Sequence, residues 1–157
     1  MNKITIGIDP GASGAIAACF PDGEFKIWQL KKDRFEDVLR ELSKSGNPLY
    51  ALLEKVSATP QMGVCSSFAF GENYGGIKSA LRALNIPFEL ITPQKWQQFY
   101  PLPKCKPKAT PEEKKAFKLQ HKRDLYNCAK DLFPTLCTSQ DKADALLILN
   151  YAMKNNK

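Results

Sequence analysis

The sequence has a single histidine, His121, and no two cysteines spaced C-x-x-C. Its five cysteines, Cys19, Cys65, Cys105, Cys128 and Cys137, are odd in number and far apart, which excludes a disulfide framework and a cysteine zinc site. They read as reduced thiols of a cytoplasmic-type compartment. No run approaches the roughly 18 consecutive apolar residues of a membrane span. A strand-like pattern begins at Lys3, where a secretory leader would carry its charged start, so a cytoplasmic, non-secreted protein without a membrane partner is expected. Internal repeats are absent, and 43% hydrophobic with 25% charged residues excludes a disordered or fibrous chain. The 157 residues fit one domain over 1–157.

What the chain has in excess is local positive charge. Between Lys104 and Arg123 stand eight basic residues, Lys104, Lys106, Lys108, Lys114, Lys115, Lys118, Lys122 and Arg123, against Glu112 and Glu113, for +6 of the formal +7. Such a field suits a polyanion, because each neutralised phosphate releases condensed counterions. The plainer reading is a solvated lysine-rich loop with no partner. Four prolines and three lysines over 101–111 predict a mobile basic loop, extending to about 118. His121 lies in the same basic stretch and is expected to be a surface or phosphate contact.

Isoleucine alternates at positions 4, 6 and 8 of KITIGID, residues 14–20 (GAIAACF) are small and apolar, and residues 25–30 (FKIWQL) alternate again. Pro10-Gly11 and Pro21-Asp22-Gly23 between them predict antiparallel hairpins. Phe35, Val38, Leu39 and Leu42 form one face of a helix over 33–44, with Asp33 as its N-cap. Residues 49–56 (LYALLEKV) read as a strand, and 64–84 as a helix with Val64, Phe68, Ile77, Leu81 and Leu84 apolar, although Gly71, Gly75 and Gly76 weaken it. Gly71 and Gly75 would admit a second backbone, either this chain's sheet or the same helix of another copy. A strand over 87–92, a short helix over 93–99, and helices over 112–132 and 140–153 complete the pattern. Trp28 and Trp96 are expected in the core or an interface. The prediction is an α/β fold whose mixed five-stranded sheet begins with three antiparallel strands and is flanked by helices.

Four carboxylates stand where this periodicity predicts burial: Asp9, Glu54, Asp141 and Asp144. Each has a plain explanation alone. Asp9 before Pro-Gly suits an Asx turn, Glu54 beside Lys55 suits an ion pair, and Asp141 with Asp144 suits the dipole of a helix start. None of these explains the set beside a concentrated basic segment. If the strands ending in Asp9 and Glu54 are neighbours and the last helix packs over them, the four acids converge. Buried acids need compensating charge, and hard divalent cations with oxygen ligands supply it.

The segments GIDPGASGAIA, LLEKV some forty residues later and DKADALLIL near the C-terminus resemble the RuvC-type Holliday junction resolvases of the ribonuclease H-like superfamily in order, spacing and length. GVCSSFAFGENYGG and TPQKWQ resemble the bacteriophage and viral branch. The resemblance implies a ribonuclease H-like fold and a crossover junction endodeoxyribonuclease of DNA recombination and repair, working as a homodimer on branched DNA. It implies Asp9, Glu54, Asp141 and Asp144 as catalytic ligands of two Mg²⁺ ions, for which Mn²⁺ substitutes, and Lys122 as the basic catalytic residue, with Lys118 and Arg123 close by. Hydrolysis would leave a 5′ phosphate and a 3′ hydroxyl. The basic residues from Lys104 to Arg123 would bind DNA. One departure is Ser57, where well-known bacterial members carry an aromatic residue three positions after the strand glutamate; Phe68, Phe70 or Tyr74 are candidates to replace it, although aromatics at helical spacing are more often core.

Three other readings compete. A non-catalytic junction-binding protein has no reason to keep four acids. A ribonuclease H-like nuclease acting on RNA–DNA hybrids shares the carboxylate site. IGIDPGASG also resembles the phosphate loop of actin-like ATPases, but no second acid-glycine loop follows, so no nucleotide cofactor is expected.

Overall fold

The computed structural model describes residues 2–57 and 63–155. Its elements follow the order β1 (Ile4–Asp9), β2 (Ala15–Cys19), β3 (Phe25–Gln29), α1 (Phe35–Ser43), β4 (Leu49–Glu54), α2 (Val64–Ala83), β5 (Phe88–Ile91), α3 (Pro93–Gln97), α4 (Pro111–Leu132) and α5 (Gln140–Asn155). The five strands form one sheet in the order β3-β2-β1-β4-β5. The β1–β2 and β2–β3 pairs are antiparallel, and β4 joins β1 in parallel with β5 parallel outside it. This is the mixed sheet that the alternation and turn signals predict. Among the described residues no helix is long and apolar enough to cross a membrane.

Side chains alternate across a strand, and here that alternation sorts the molecule into two cores. Ile4, Ile6 and Ile8 of β1, Ile16 of β2, and Ala51 and Leu53 of β4 pack under α1 and α2 with Leu39, Ile77 and Leu81. The opposite face, with Ala15 and Ala17 of β2 and Leu52 of β4, packs against α3, α4 and α5 through Trp96, Leu125, Ala145 and Leu149. Helix α5 lies close because β1 presents Gly7 to it. A Cβ on Gly7 would collide with the backbone of Ala145 and Leu149, so the glycine fixes how closely the last helix rides on the central strand.

Several local expectations are corrected. Asp33 does not cap α1: the N-cap position is Arg34, without a side-chain cap, and the Asp33 carboxylate accepts a hydrogen bond from Gln29 N at 3.1 Å. The apolar face predicted for α2 is not continuous, since Ile77 and Leu81 are buried while Val64 and Phe68 are 86% and 71% exposed. Phe68 is therefore not a core aromatic. Gly71 and Gly75 face open space, and the close approach belongs to Gly76, against the Phe35 ring. The basic segment also divides differently. Residues 98–110 form no helix or strand, but α4 begins at Pro111 with Thr110 and Glu113 in a reciprocal capping box. Lys114, Lys115 and Lys118 thus lie on a capped helix and not in the loop expected to run to about 118.

Candidate functional site

Strands β1 and β4 run parallel with Ile8 opposite Leu53, so Asp9 and Glu54 come side by side at the ends of the two strands. Alternation turns both toward the face that α5 covers, opposite to that of Ile8 and Leu53. Helix α5 then adds Asp141 and Asp144 from its first two turns, one above the other. Asp9, Asp141 and Asp144 line a cleft of about 180 Å³ together with Ser13, Gln140 and Lys122 of α4. The tight turn after β1 shapes its floor. Gly11 N donates to Asp9 Oδ1 at 3.1 Å, and Gly14 packs where a Cβ would strike the Asp9 carbonyl oxygen. Asp9 is thus an Asx-type turn residue and a cleft acid at once, since one carboxylate oxygen serves each purpose.

The other plain explanations fare unequally. Glu54 is buried at 8% exposure and makes no ion pair with Lys55; its Oε1 accepts a hydrogen bond from Trp96 Nε1 at 2.9 Å. Asp141 does stand in the first turn of α5, half-exposed, and is bridged by Lys31 Nζ at 2.9 Å. Asp144 is deeper. Burial pushes its carboxyl up to about 7, the Asp9 charge adds to that, and Lys122 opposes it. Glu54 is likewise pushed up to about 7, by burial first, against the Trp96 hydrogen bond and with the charges of Asp9 and Asp144 adding. Asp9 is raised too, by burial, with the Gly11 hydrogen bond and Lys122 opposing and Asp141 reinforcing. Four carboxylates thus face two lysines, Lys31 and Lys122, and burial disfavours the charged forms of Asp9, Glu54 and Asp144, so a cation among them would favour those forms.

An all-oxygen, carboxylate-rich donor set suits a hard divalent cation. Among the described residues no three such side chains are drawn into metal-holding geometry as they stand; Asp9, Asp141 and Asp144 share the cleft, while Glu54 lies outside its lining, near enough for the charges of Asp9 and Asp144 to act on it. The donor chemistry of Asp9, Glu54, Asp141 and Asp144 fits Mg²⁺.

No family model matches the sequence, and no curated protein matches it. Solved structures do. "T. thermophilus RuvC in complex with Holliday junction substrate" aligns with a TM-score of 0.59 at 13% identity, covering 97% of this chain and 95% of that one. "Thermus thermophilus RuvC structure" aligns with a TM-score of 0.55 at 14% identity, covering 98% and 96%. The fold is that of RuvC. At such identity the likeness is one of backbone architecture, and it extends over nearly the whole of both chains.

On this RuvC fold, the basic residues fall into two groups. Lys104, Lys106 and Lys108 lie in the irregular 98–110 segment, whereas Lys114, Lys115, Lys118, Lys122 and Arg123 lie on α4. All eight are exposed. Lys114, Lys118 and Lys122, four residues apart, make one stripe along α4 whose last member lines the acid cleft. Lys122 is the one of the eight whose charge is felt at both Asp9 and Asp144.

Three participants escape a reading of the sequence. Trp96, expected only to fill the core, is fully buried and directs its indole N–H at Glu54. Its placement is legible afterwards in TPQKWQ, where Thr92 caps a short helix with Pro93 in its first turn, but nothing in that motif names its partner. Lys31 holds Asp141 across 110 residues of sequence, and Ser13 lines the cleft beside Gly14. Tyr74, on α2, is a half-buried hydroxyl whose acidity is weakened by burial first and by the nearby Glu54 charge.

Proposed function

We propose that this protein is a Mg²⁺-dependent, structure-selective endodeoxyribonuclease that resolves four-way and other branched DNA junctions by paired nicks. The observation that carries this reading is the meeting of Asp9, Asp141, Asp144 and Lys122 in one cleft, with Glu54 beside Asp9 at the end of the neighbouring strand, at one end of a RuvC-fold sheet. A RuvC of the same fold has been solved on a Holliday junction substrate. On this reading the four acids hold two Mg²⁺ ions, or Mn²⁺ in their place. Those ions supply Lewis-acid stabilisation of charge at the phosphorus and a nucleophile at neutral pH.

The protein's own contribution is positioning and charge. Gly11 N–H fixes one oxygen of Asp9, Trp96 N–H fixes one of Glu54, and Lys31 holds Asp141, so that three of the four carboxylates are oriented by a defined partner. Lys122 faces the developing negative charge of the phosphodiester. The stripe from Lys114 to Lys122, with Lys104, Lys106, Lys108 and Arg123, seats the flanking phosphates and sets the register of the junction by shape. The products are a 5′ phosphate and a 3′ hydroxyl. A two-fold junction cut twice calls for a C2 homodimer; the exposed Val64 and Phe68 on α2, beside the open Gly71 and Gly75, support a second copy on that helix. The GVCSSFAFGENYGG and TPQKWQ segments support the bacteriophage and viral branch of the resolvases, with a bacterial or virus-infected host cytoplasm as the place of action.

The test is cleavage of a labelled four-way junction and a matched linear duplex in Mg²⁺ and in Ca²⁺. Incision of the junction alone, absent in Ca²⁺ and in Asp144→Asn while that variant still binds the junction, is the expected result. Binding without incision in every condition would overturn the enzymatic reading.

A further inference from the structure

A second cavity, of about 280 Å³, opens between α3, the 98–110 segment and α4, lined by His121, the residue before Lys122. Its lining is unusual for a surface hollow in combining a flat aromatic pair with side-chain amides. Phe117 and His121, one turn apart on α4, lie nearly parallel, with ring centroids 5.4 Å apart and planes 21° from one another. Gln94, Gln97 and Gln98 face them from α3 and its end, and Lys104 stands at the rim.

His121 is incompletely satisfied. One ring nitrogen, Nε2, meets Gln97 Oε1 at 3.2 Å, while Nδ1 is shut from solvent and has no partner. With Nε2 donating to the amide oxygen, Nδ1 is an acceptor in want of a donor, and a buried polar atom left unpaired costs stability. The Nε2–Gln97 contact and the stacked Phe117 hold the imidazole in one orientation, so that the ring pair and the glutamine amides form the fixed lining of the cavity.

A flat, aromatic ligand with hydrogen-bonding edges and attached negative charge matches the ring pair, the glutamine amides and Lys104. Unpaired nucleobases meet each condition: they stack on aromatic side chains, their exposed edges pair with amides, and their phosphates meet lysine. Position agrees with chemistry. His121 and Lys122 are successive residues of α4, about 100° apart around its axis, so a strand whose phosphate lies at Lys122 can turn a neighbouring base into the cavity.

We infer that the Phe117–His121–glutamine cavity is a pocket for one unpaired base of the bound DNA strand, adjacent to the acid cleft but separate from it. The inference rests on the reading that the protein binds branched DNA. It makes the pocket a device for selecting junctions with an unpaired or readily opened base near the branch point over fully stacked duplex.

The experiment places 2-aminopurine either as one unpaired nucleotide at the branch of a four-way junction or paired within an arm, and follows its fluorescence and the binding affinity in Ca²⁺. Quenching of the unpaired probe alone is expected. Phe117→Leu should lose that quenching and bind the unpaired junction about tenfold more weakly, with affinity for the fully paired junction changed less than twofold; Phe117→Tyr should restore both. Gln94→Ala, at an exposed position of α3, gives a second reading that does not depend on the α4 packing, and should weaken binding of the unpaired junction selectively. Equal affinity of Phe117→Leu and the parent for both junctions, with quenching retained, would overturn the pocket and leave the DNA-binding reading standing. Tighter binding of a free nucleoside monophosphate to the cavity than of the unpaired junction would assign it to a soluble nucleotide and also overturn it. Failure of the parent protein to bind either junction would remove the reading on which the inference rests, and the inference with it.

Discussion

Glu54→Gln should make the metal-free protein more stable at alkaline pH and should abolish cleavage. The glutamine keeps Oε1 as acceptor for the Trp96 indole N–H at 2.9 Å and removes only the charge. In the folded chain burial pushes this carboxyl from the usual 4.5 to about 7. A raised acid binds its proton more tightly when folded, so the associated stability is fully present below about pH 4.5 and is lost as pH rises through about 7. At pH 8 the ionised carboxylate then costs the fold about 3 kcal/mol relative to a neutral isostere. For a domain of this size that corresponds to a rise in melting temperature of roughly 6–12 °C on substitution. Denaturant and thermal unfolding with chelator at pH 8 and pH 4.5 read it directly: a wide gap between variant and parent at pH 8, closing at pH 4.5. A variant no more stable than its parent at pH 8, or a gap of equal size at both values, would refute the claim that an uncompensated charge sits at the end of β4.

Other substitutions separate positioning from charge. Trp96→Phe removes the N–H donor to Glu54 and leaves a buried carboxylate oxygen unpaired, a loss of about 1–3 kcal/mol, with junction cleavage falling while junction affinity in Ca²⁺ holds; unfolding curves and single-turnover rates check the two halves. Gly7→Ala drives a methyl into the α5 backbone and should destabilise by about 1–3 kcal/mol or more, lowering the melting temperature and loosening Asp141 and Asp144 together. Lys118→Ala should weaken junction and duplex binding alike and reduce the slope of log affinity against log salt by about 1, as one phosphate contact is lost, measured by anisotropy across a salt series.

Legibility in the sequence followed the range of the interaction. Alternating Ile4, Ile6 and Ile8, the Pro-Gly turns and the capped, periodic helices are written within a few residues, and the strands and helices lie where those signals put them. Asp9, Glu54 and Asp144 could be singled out because a carboxylate at an apolar position breaks a local pattern. Their proximity could not be read locally, because it depends on β1 and β4 pairing in parallel across forty residues and on Gly7 admitting α5. The Trp96–Glu54 hydrogen bond and the Lys31–Asp141 ion pair span 42 and 110 residues, and no spacing encodes them. Two local signals misled. Asp33 suits an N-cap but is taken by the backbone of Gln29, and Val64 and Phe68 continue a helical apolar stripe that meets solvent in the isolated chain. Charge counts placed the basic segment correctly but could not show that a helix capped at Thr110 carries five of its eight basic residues and aligns Lys114, Lys118 and Lys122 toward the acids.

The central claim is that the acid cleft at the ends of β1 and β4 is a nuclease site presented twice to a junction. Its most direct test is to label opposing strands of a four-way junction separately, map both incisions in Mg²⁺, and treat the products with DNA ligase alone. Symmetrically placed nicks that seal without further processing are predicted, since each should carry a 5′ phosphate and a 3′ hydroxyl. Incisions on one strand only, ends that will not ligate, or equal cutting of linear duplex would contradict the account.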